Sequence, residues 1–156
     1  MRLVFWTAFW VFLLDQATKY LVVHLLDLRT LGRIDVLPPY LTLRMAWNYG
    51  INFGLMAGES ALSRWALIVL ALAISGAVLW WIRAEAGGRL HRLAAGLLVG
   101  GALGNVVDRL IYGAVADFLN MACCGINNPY AFNVADIAVF AGAFGIVLLP
   151  VGKKPS

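Results

Sequence analysis

Charge is scarce in this chain. Only 13% of its 156 residues are Asp, Glu, Lys or Arg, roughly half of what a soluble domain carries. That leaves too little polar surface for an ordinary water-facing protein. With 62% hydrophobic residues and a mean hydropathy of +0.83, the composition points to an integral membrane protein. Cysteine is scarce too: there are two, and they are adjacent, Cys123 and Cys124. Neighbouring cysteines rarely bridge each other, so no disulfide framework is expected. Only His24 and His91 are available to join them, neither of them close in sequence, so no metal site is expected either. Basic clusters are missing as well. The formal charge is +4, but the cations are scattered and several sit at segment ends, so nucleic acid is not an expected partner.

What the chain does have is apolar runs, at about 3–26, 65–82, 93–112 and 134–151. They predict a four-helix transmembrane bundle in a single membrane domain covering residues 1–156. The first run follows Arg2 in the manner of a signal peptide. No small-residue cleavage site follows it, so it is read as a retained helix. The second ends in Trp80-Trp81, an aromatic belt. Four spans put both termini on one side, together with Arg2, Arg83, Arg89, Arg92, Lys153 and Lys154, which predicts cytoplasmic termini.

Residues 27–63 change character. Pro38-Pro39 and several charges precede an alternating stretch, 40–47, that predicts a half-exposed strand. A turn at Asn48-Tyr49-Gly50 and a return strand over 51–56 complete the expectation. The result would be a small sheet on the outer face of the membrane, beyond the bilayer core, where open edges are allowed.

The stretch from Gly100 to Phe118 is the most unusual. Gly101, Asn105 and Arg109 follow one another at i, i+4, and Gly96, Gly100, Gly104 and Asp108 form a second such stripe. Small residues four apart let helices approach closely in lipid, and ionisable groups there are functional candidates. Asp15 and Lys19 have the spacing of a helical ion pair. Either they neutralise each other in place, or they belong to a polar network facing the other helices. The third and fourth runs read as antiparallel neighbours joined by a short loop, which brings Asp117 near Asp136. These two acids read either as a loop acid and a first-turn acid, or as a pair sharing a proton. Such a pair supports aspartic-peptidase chemistry without a metal or cofactor: the ionised member takes a proton from water while the protonated one polarises a carbonyl.

These motifs, in their order, resemble the bacterial lipoprotein signal peptidases, also called type II signal peptidases. The likeness is carried by DQATK at Asp15–Lys19, NYGINFG at Asn48–Gly54, GGALGNVVDR at Gly100–Arg109, VADF at Val115–Phe118 and FNVAD at Phe132–Asp136. The resemblance implies a periplasmic β-rich cradle between helices 1 and 2, and an intramembrane aspartic peptidase whose catalytic pair is Asp117 and Asp136. It implies a supporting shell of Asp15, Lys19, Asn48, Gly50, Gly101, Asn105, Asp108, Arg109, Val115, Asn133 and Ala135. Asn133 is expected on the same helix face as Asp136, and Asp15, Lys19, Asp108 and Arg109 are expected to form a structural charge network. The implied substrate is a prolipoprotein whose cysteine carries diacylglycerol, cut on the amino side of that cysteine at the bacterial inner membrane. Membrane lipid is the only other partner implied, and a monomer suffices. Asn52 departs from the family, which commonly has Ala there, and the difference bears on substrate preference. The competing readings are a proton-coupled transporter, built on the intramembrane charges, and a non-catalytic assembly factor, built on the glycine stripes. Only a peptidase would process substrate in detergent, without a gradient.

Overall fold

The chain is seen in a computed structural model that describes residues 1–50, 61–84, 88–123 and 128–149. Helix α1 (Arg2–Lys19) continues as a π-helical segment over Tyr20–Leu25. The wider turns begin directly after Lys19, and such turns are frequent beside functional sites. A single helical turn, α2 (Leu28–Leu31), leads into strands β1 (Arg33–Leu37) and β2 (Leu41–Asn48). Then come α3 (Ala61–Ala84), α4 (Arg89–Tyr112), β3 (Val115–Met121) and α5 (Val134–Leu148). By length and composition α3 and α4 are able to cross a membrane. At about 1.5 Å per residue each exceeds a ~30 Å hydrocarbon core.

The sheet differs from the expected hairpin. β2 lies at the centre, antiparallel to β1 on one side and to β3 on the other. The return strand expected over 51–56 lies outside the described residues. The connection between the third and fourth runs is not a short loop. It holds β3, so Asp117 sits on a strand rather than in a turn. Helix ends also move: α3 and α4 each begin four residues before the expected start, at Ala61 and Arg89.

Helix α4 is the hub, parallel to α1 and antiparallel to α5. Its two small-residue stripes face different partners. A Cβ on Gly96 would fall 2.5 Å from Thr7 Cβ, and one on Gly100 2.5 Å from the Ala8 carbonyl oxygen, both on α1. A Cβ on Gly101 would meet the Ala135 carbonyl oxygen on α5 instead. From the other side, Gly142 of α5 lets Leu98 of α4 approach. Packing of this kind substitutes for hydrophobic drive where lipid is as apolar as the helices. Two apolar cores close the ends. Val4, Ile82 and Ala95 pack together at one end, and Val22, Leu28, Leu43 and Phe118 seat the sheet at the other.

Candidate active site

Helix α4 ends at Gly113, whose positive φ of 78° suits glycine and whose N–H bonds the Arg109 carbonyl at 3.1 Å. The chain then turns into β3. Asn48 of β2 opposes Val115, so Asp117, two residues further on, is its diagonal neighbour on the same sheet face. Asn48 Nδ2 donates to Asp117 Oδ2 at 3.1 Å. The other end of that amide accepts the Gly50 N–H at 3.2 Å, which turns the amide nitrogen toward the acid.

Phe132 ties the start of α5 to β3. Its N–H donates to the Leu119 carbonyl at 3.0 Å, and its own carbonyl accepts from Leu119 N–H at 2.8 Å. Asn133 is thereby laid against Asp117, and its Nδ2 donates to Asp117 Oδ1 at 2.6 Å. Asn133 is not on the face of α5; it is the N-cap. Its Oδ1 accepts the Asp136 N–H at 2.9 Å, and Asp136 Oδ2 accepts the Asn133 N–H at 3.3 Å, a reciprocal capping box. One residue thus touches both acids. Asn105 of α4 completes the set: Nδ2 donates to Asp136 Oδ1 at 2.9 Å, while Oδ1 accepts from Lys19 and Asn133, each at 3.3 Å.

Asp117 is buried, and its acidity is set by that burial. Loss of solvent and the neighbouring Asp136 carboxylate raise its pKa to about 7, against the opposing pull of the Asn48 and Asn133 amides and the Lys19 charge. A carboxyl able to keep a proton near neutral pH therefore stands beside a second, half-buried carboxylate. Both line a cavity of about 520 Å³ with Asn48 on the polar side and Phe132, Ile137 and Phe140 on the apolar side. A second cavity, of about 560 Å³ by Arg33, Arg44 and Asn120, has no acid among the described residues that line it. Among the described residues no three His, Cys, Asp or Glu side chains could hold a metal ion.

Beneath the acids lies a buried charge cluster. Lys19 Nζ is 2.8 Å from both Asp15 Oδ2 and Asp108 Oδ2, so the Asp15–Lys19 pair is open to α4 rather than closed on itself. Gln16 Nε2 spans Asp15 and Asp108, at 3.1 Å from each. In sequence Gln16 carries no signal of its own beyond its place inside DQATK, between Asp15 and Lys19. Asp15 Oδ1 accepts the Ala135 N–H at 2.9 Å, and Asp108 Oδ2 accepts the Ala116 N–H at 3.1 Å. Gly104 makes room for this cluster, since a Cβ there would strike Asp15 Oδ2. Val115 and Ala135 are fully buried beside it. Arg109 does not join it as expected. Its Nη1 bonds the Asn105 carbonyl of its own helix at 3.2 Å, and its buried Nε has no hydrogen-bond partner among the described residues. The reason is direction: Asp108 and Arg109 are successive residues on a helix and point about 100° apart. Asn52 and Cys124 lie outside the described residues, and Cys123 is exposed, at the rim of the second cavity.

Comparison with known proteins agrees across nearly the whole chain. The family model for signal peptidase (SPase) II matches residues 7–151. The chain is similar to a lipoprotein signal peptidase of Methylobacterium sp. (strain 4-46), 42% identical over 95% of this chain and 88% of the relative. It is likewise similar to a lipoprotein signal peptidase of Aeromonas hydrophila, 41% identical over 92% of this chain and 84% of the relative. A solved structure of a bacterial membrane enzyme superposes with a TM-score of 0.76 at 28% identity, covering 93% of this chain and 90% of that one. The chain belongs to the signal peptidase II family, membrane proteases that remove signal peptides from prolipoproteins.

Proposed function

We propose that the chain is an intramembrane aspartic endopeptidase acting on diacylglyceryl-modified prolipoproteins, with Asp117 and Asp136 as its catalytic pair. The observation that carries this reading is a single cavity in which two carboxylates, oriented by Asn48, Asn105 and Asn133, face an apolar wall. Asp117, with its pKa raised to about 7, holds the proton. Asp136 is then the ionised partner and the general base. It takes a proton from water as the water oxygen attacks the scissile carbonyl carbon, and Asp117 donates a hydrogen bond to the carbonyl oxygen. Collapse of the tetrahedral adduct breaks the C–N bond, and the proton taken by Asp136 leaves on the amine of the lipidated cysteine. The signal peptide departs with the new carboxylate.

The helices fit four spans of one domain, α1 with its π extension, α3, α4 and α5, with cytoplasmic termini and the sheet as a periplasmic cradle. On that arrangement the cavity opens at the outer membrane surface. Ile137 and Phe140, both exposed, would meet a substrate that arrives sideways from the lipid. A monomer suffices, no nucleic acid takes part, and the transporter and assembly readings give way to peptidase chemistry.

A gel-shift assay in detergent tests the proposal, with lipidated and unlipidated prolipoprotein against wild type, Asp117→Asn and Asp136→Asn. The expected result is cleavage of the lipidated form only, lost in both folded variants. Cleavage by either variant would sink the two-aspartate mechanism.

A further inference from the structure

We infer that Lys19 is a positioning residue that sets the separation of the two active-site carboxylates, by holding Asp15 and Asp108 together while each grips the peptide N–H just before one of them. The inference rests on the peptidase reading above. Ala135 precedes Asp136 and Ala116 precedes Asp117. A continuous path therefore runs from Ala135 N–H to Asp15 (2.9 Å), Lys19 (2.8 Å), Asp108 (2.8 Å) and Ala116 N–H (3.1 Å). Every residue on it is 4% exposed or less. The path runs through α1 and α4 and ends on β3 and α5, the two elements that carry the acids.

Charge counting makes a merely space-filling role a poor explanation. One lysine needs one acid for neutrality, and a second buried carboxylate beside Asp117 and Asp136 adds repulsion. The second acid is tolerable because each of the two carboxylates accepts a backbone N–H, Asp15 from Ala135 and Asp108 from Ala116. Gln16 takes up remaining oxygen capacity on both. Without Lys19, Asp15 and Asp108 would face each other with only the Arg109 charge acting on Asp108, and would push α1 from α4, carrying Ala135 away from Ala116. A displacement of about 1 Å at reacting groups can cost about 10²-fold in rate.

The test uses the full-length protein in detergent with lipidated prolipoprotein, reading kcat, KM, the pH profile and Tm for wild type, Lys19→Met and Lys19→Met/Asp15→Asn. For Lys19→Met the expected kcat loss is about 100-fold with little change in KM. The alkaline limb of kcat/KM should also move to higher pH. Among the described residues, the charged groups acting on Asp117 are Asp136 of α5, Lys19 of α1 and Arg109 of α4, so removing Lys19 strengthens its hold on the proton. The double variant removes one charge of each sign and keeps a carbonyl oxygen for Ala135 N–H. It should regain at least about tenfold of the lost kcat, or about 1.4 kcal/mol of barrier. If Lys19→Met does not fold, the double variant alone decides, by a kcat below wild type and a displaced limb. Wild-type kcat with an unmoved limb, in either folded variant, overturns the inference. So does a double variant no faster than a folded Lys19→Met. Asp117→Asn serves as the control: cleavage by it, or none by wild type, sinks the peptidase reading instead.

Discussion

The two ends of α4 are built from the same interval and hold opposite things. Toward its start, Gly96 and Gly100 let the backbone of α1 approach, and the space is closed by Val4, Ile82 and Ala95. Toward its end, Gly104 continues the stripe, but the atom it admits is a carboxylate oxygen of Asp15. Around it lie Lys19, Gln16, Asn105 and Asp108, nearly all of their polar atoms within hydrogen-bond reach of one another. Close helix approach is therefore a general device of this fold, and the polar cluster is a local use of it. The difference teaches where stability and reactivity are kept apart: dispersion at one end, satisfied charge at the other.

The largest effect expected at the polar end comes from Asp117→Asn. Cleavage should fall by about 10³-fold or more, since general acid–base terms are typically about 10²–10⁴-fold. Stability should move the other way. Asp117 has a raised pKa in the folded state, so the fold loses support as pH climbs from the ordinary 3.8 to about 7. Asn carries no charge to bury. Its Tm advantage over wild type should grow across that window and then level off, which a thermal-unfolding series from pH 4 to pH 8 would check. A variant less stable than wild type at pH 8 would show that the acid holds the site together rather than straining it. The same titration predicts that wild-type kcat/KM declines as pH rises through about 7, because Asp117 of the free enzyme then loses its proton.

Asn133 sharpens the comparison next, because it serves both purposes. Asn133→Ser keeps an N-cap oxygen for the Asp136 N–H but has no amide to donate to Asp117. Cleavage should drop by about fivefold to tenfold, the weight of one hydrogen bond to a protonated carboxyl, with Tm close to wild type. Asn133→Ala should lose the cap as well, costing about 1 kcal/mol of stability. Equal activity in the Ser variant and wild type would confine Asn133 to capping.

Legibility follows the range of the interactions involved. The four apolar runs are visible because a helix repeats its own pattern within a few residues. Strand β3 is not visible that way: residues 115–121 fall in what reads as a short loop after the third apolar run, and the partner that makes them a strand is β2, some 70 residues earlier. β1 is a five-residue edge strand with Arg33 and Asp35 paired at its surface, and exposed edges carry little apolar signal. At the candidate site, the Asn–X–X–Asp pattern of Asn133 and Asp136 is legible as a capping box once a helix is expected to start there. The grips on Ala116 and Ala135 are not, because a peptide N–H has no signature in sequence. Asp108 and Arg109 appear equally promising in the chain; only the helix's rotation turns one into the cluster and the other away.

A smaller contrast lies in the glycines themselves. Gly100→Ala would press on the Ala8 backbone, and Gly104→Ala on a side-chain carboxylate. Both should lower Tm. Only Gly104→Ala should lower kcat of the folded fraction, by several-fold, because it alone displaces a residue bonded to the peptide before Asp136. Kinetics normalised to folded protein would separate them, and equal kcat losses would mean that helix spacing alone governs the site.

The smallest effect expected is at the apolar end. His91 is buried at 3% exposure, packs edge-on against Trp81 with ring centroids 5.9 Å apart, and among the described residues its buried Nε2 has no hydrogen-bond partner. An unpaired buried donor or acceptor costs stability, so an apolar ring of similar size should be no worse. His91→Phe should leave kcat and KM unchanged and hold Tm at or slightly above wild type. If the substitution instead lowered kcat at constant Tm, the two ends of α4 would be coupled through the helix. The separation of packing from chemistry along its length would then be wrong.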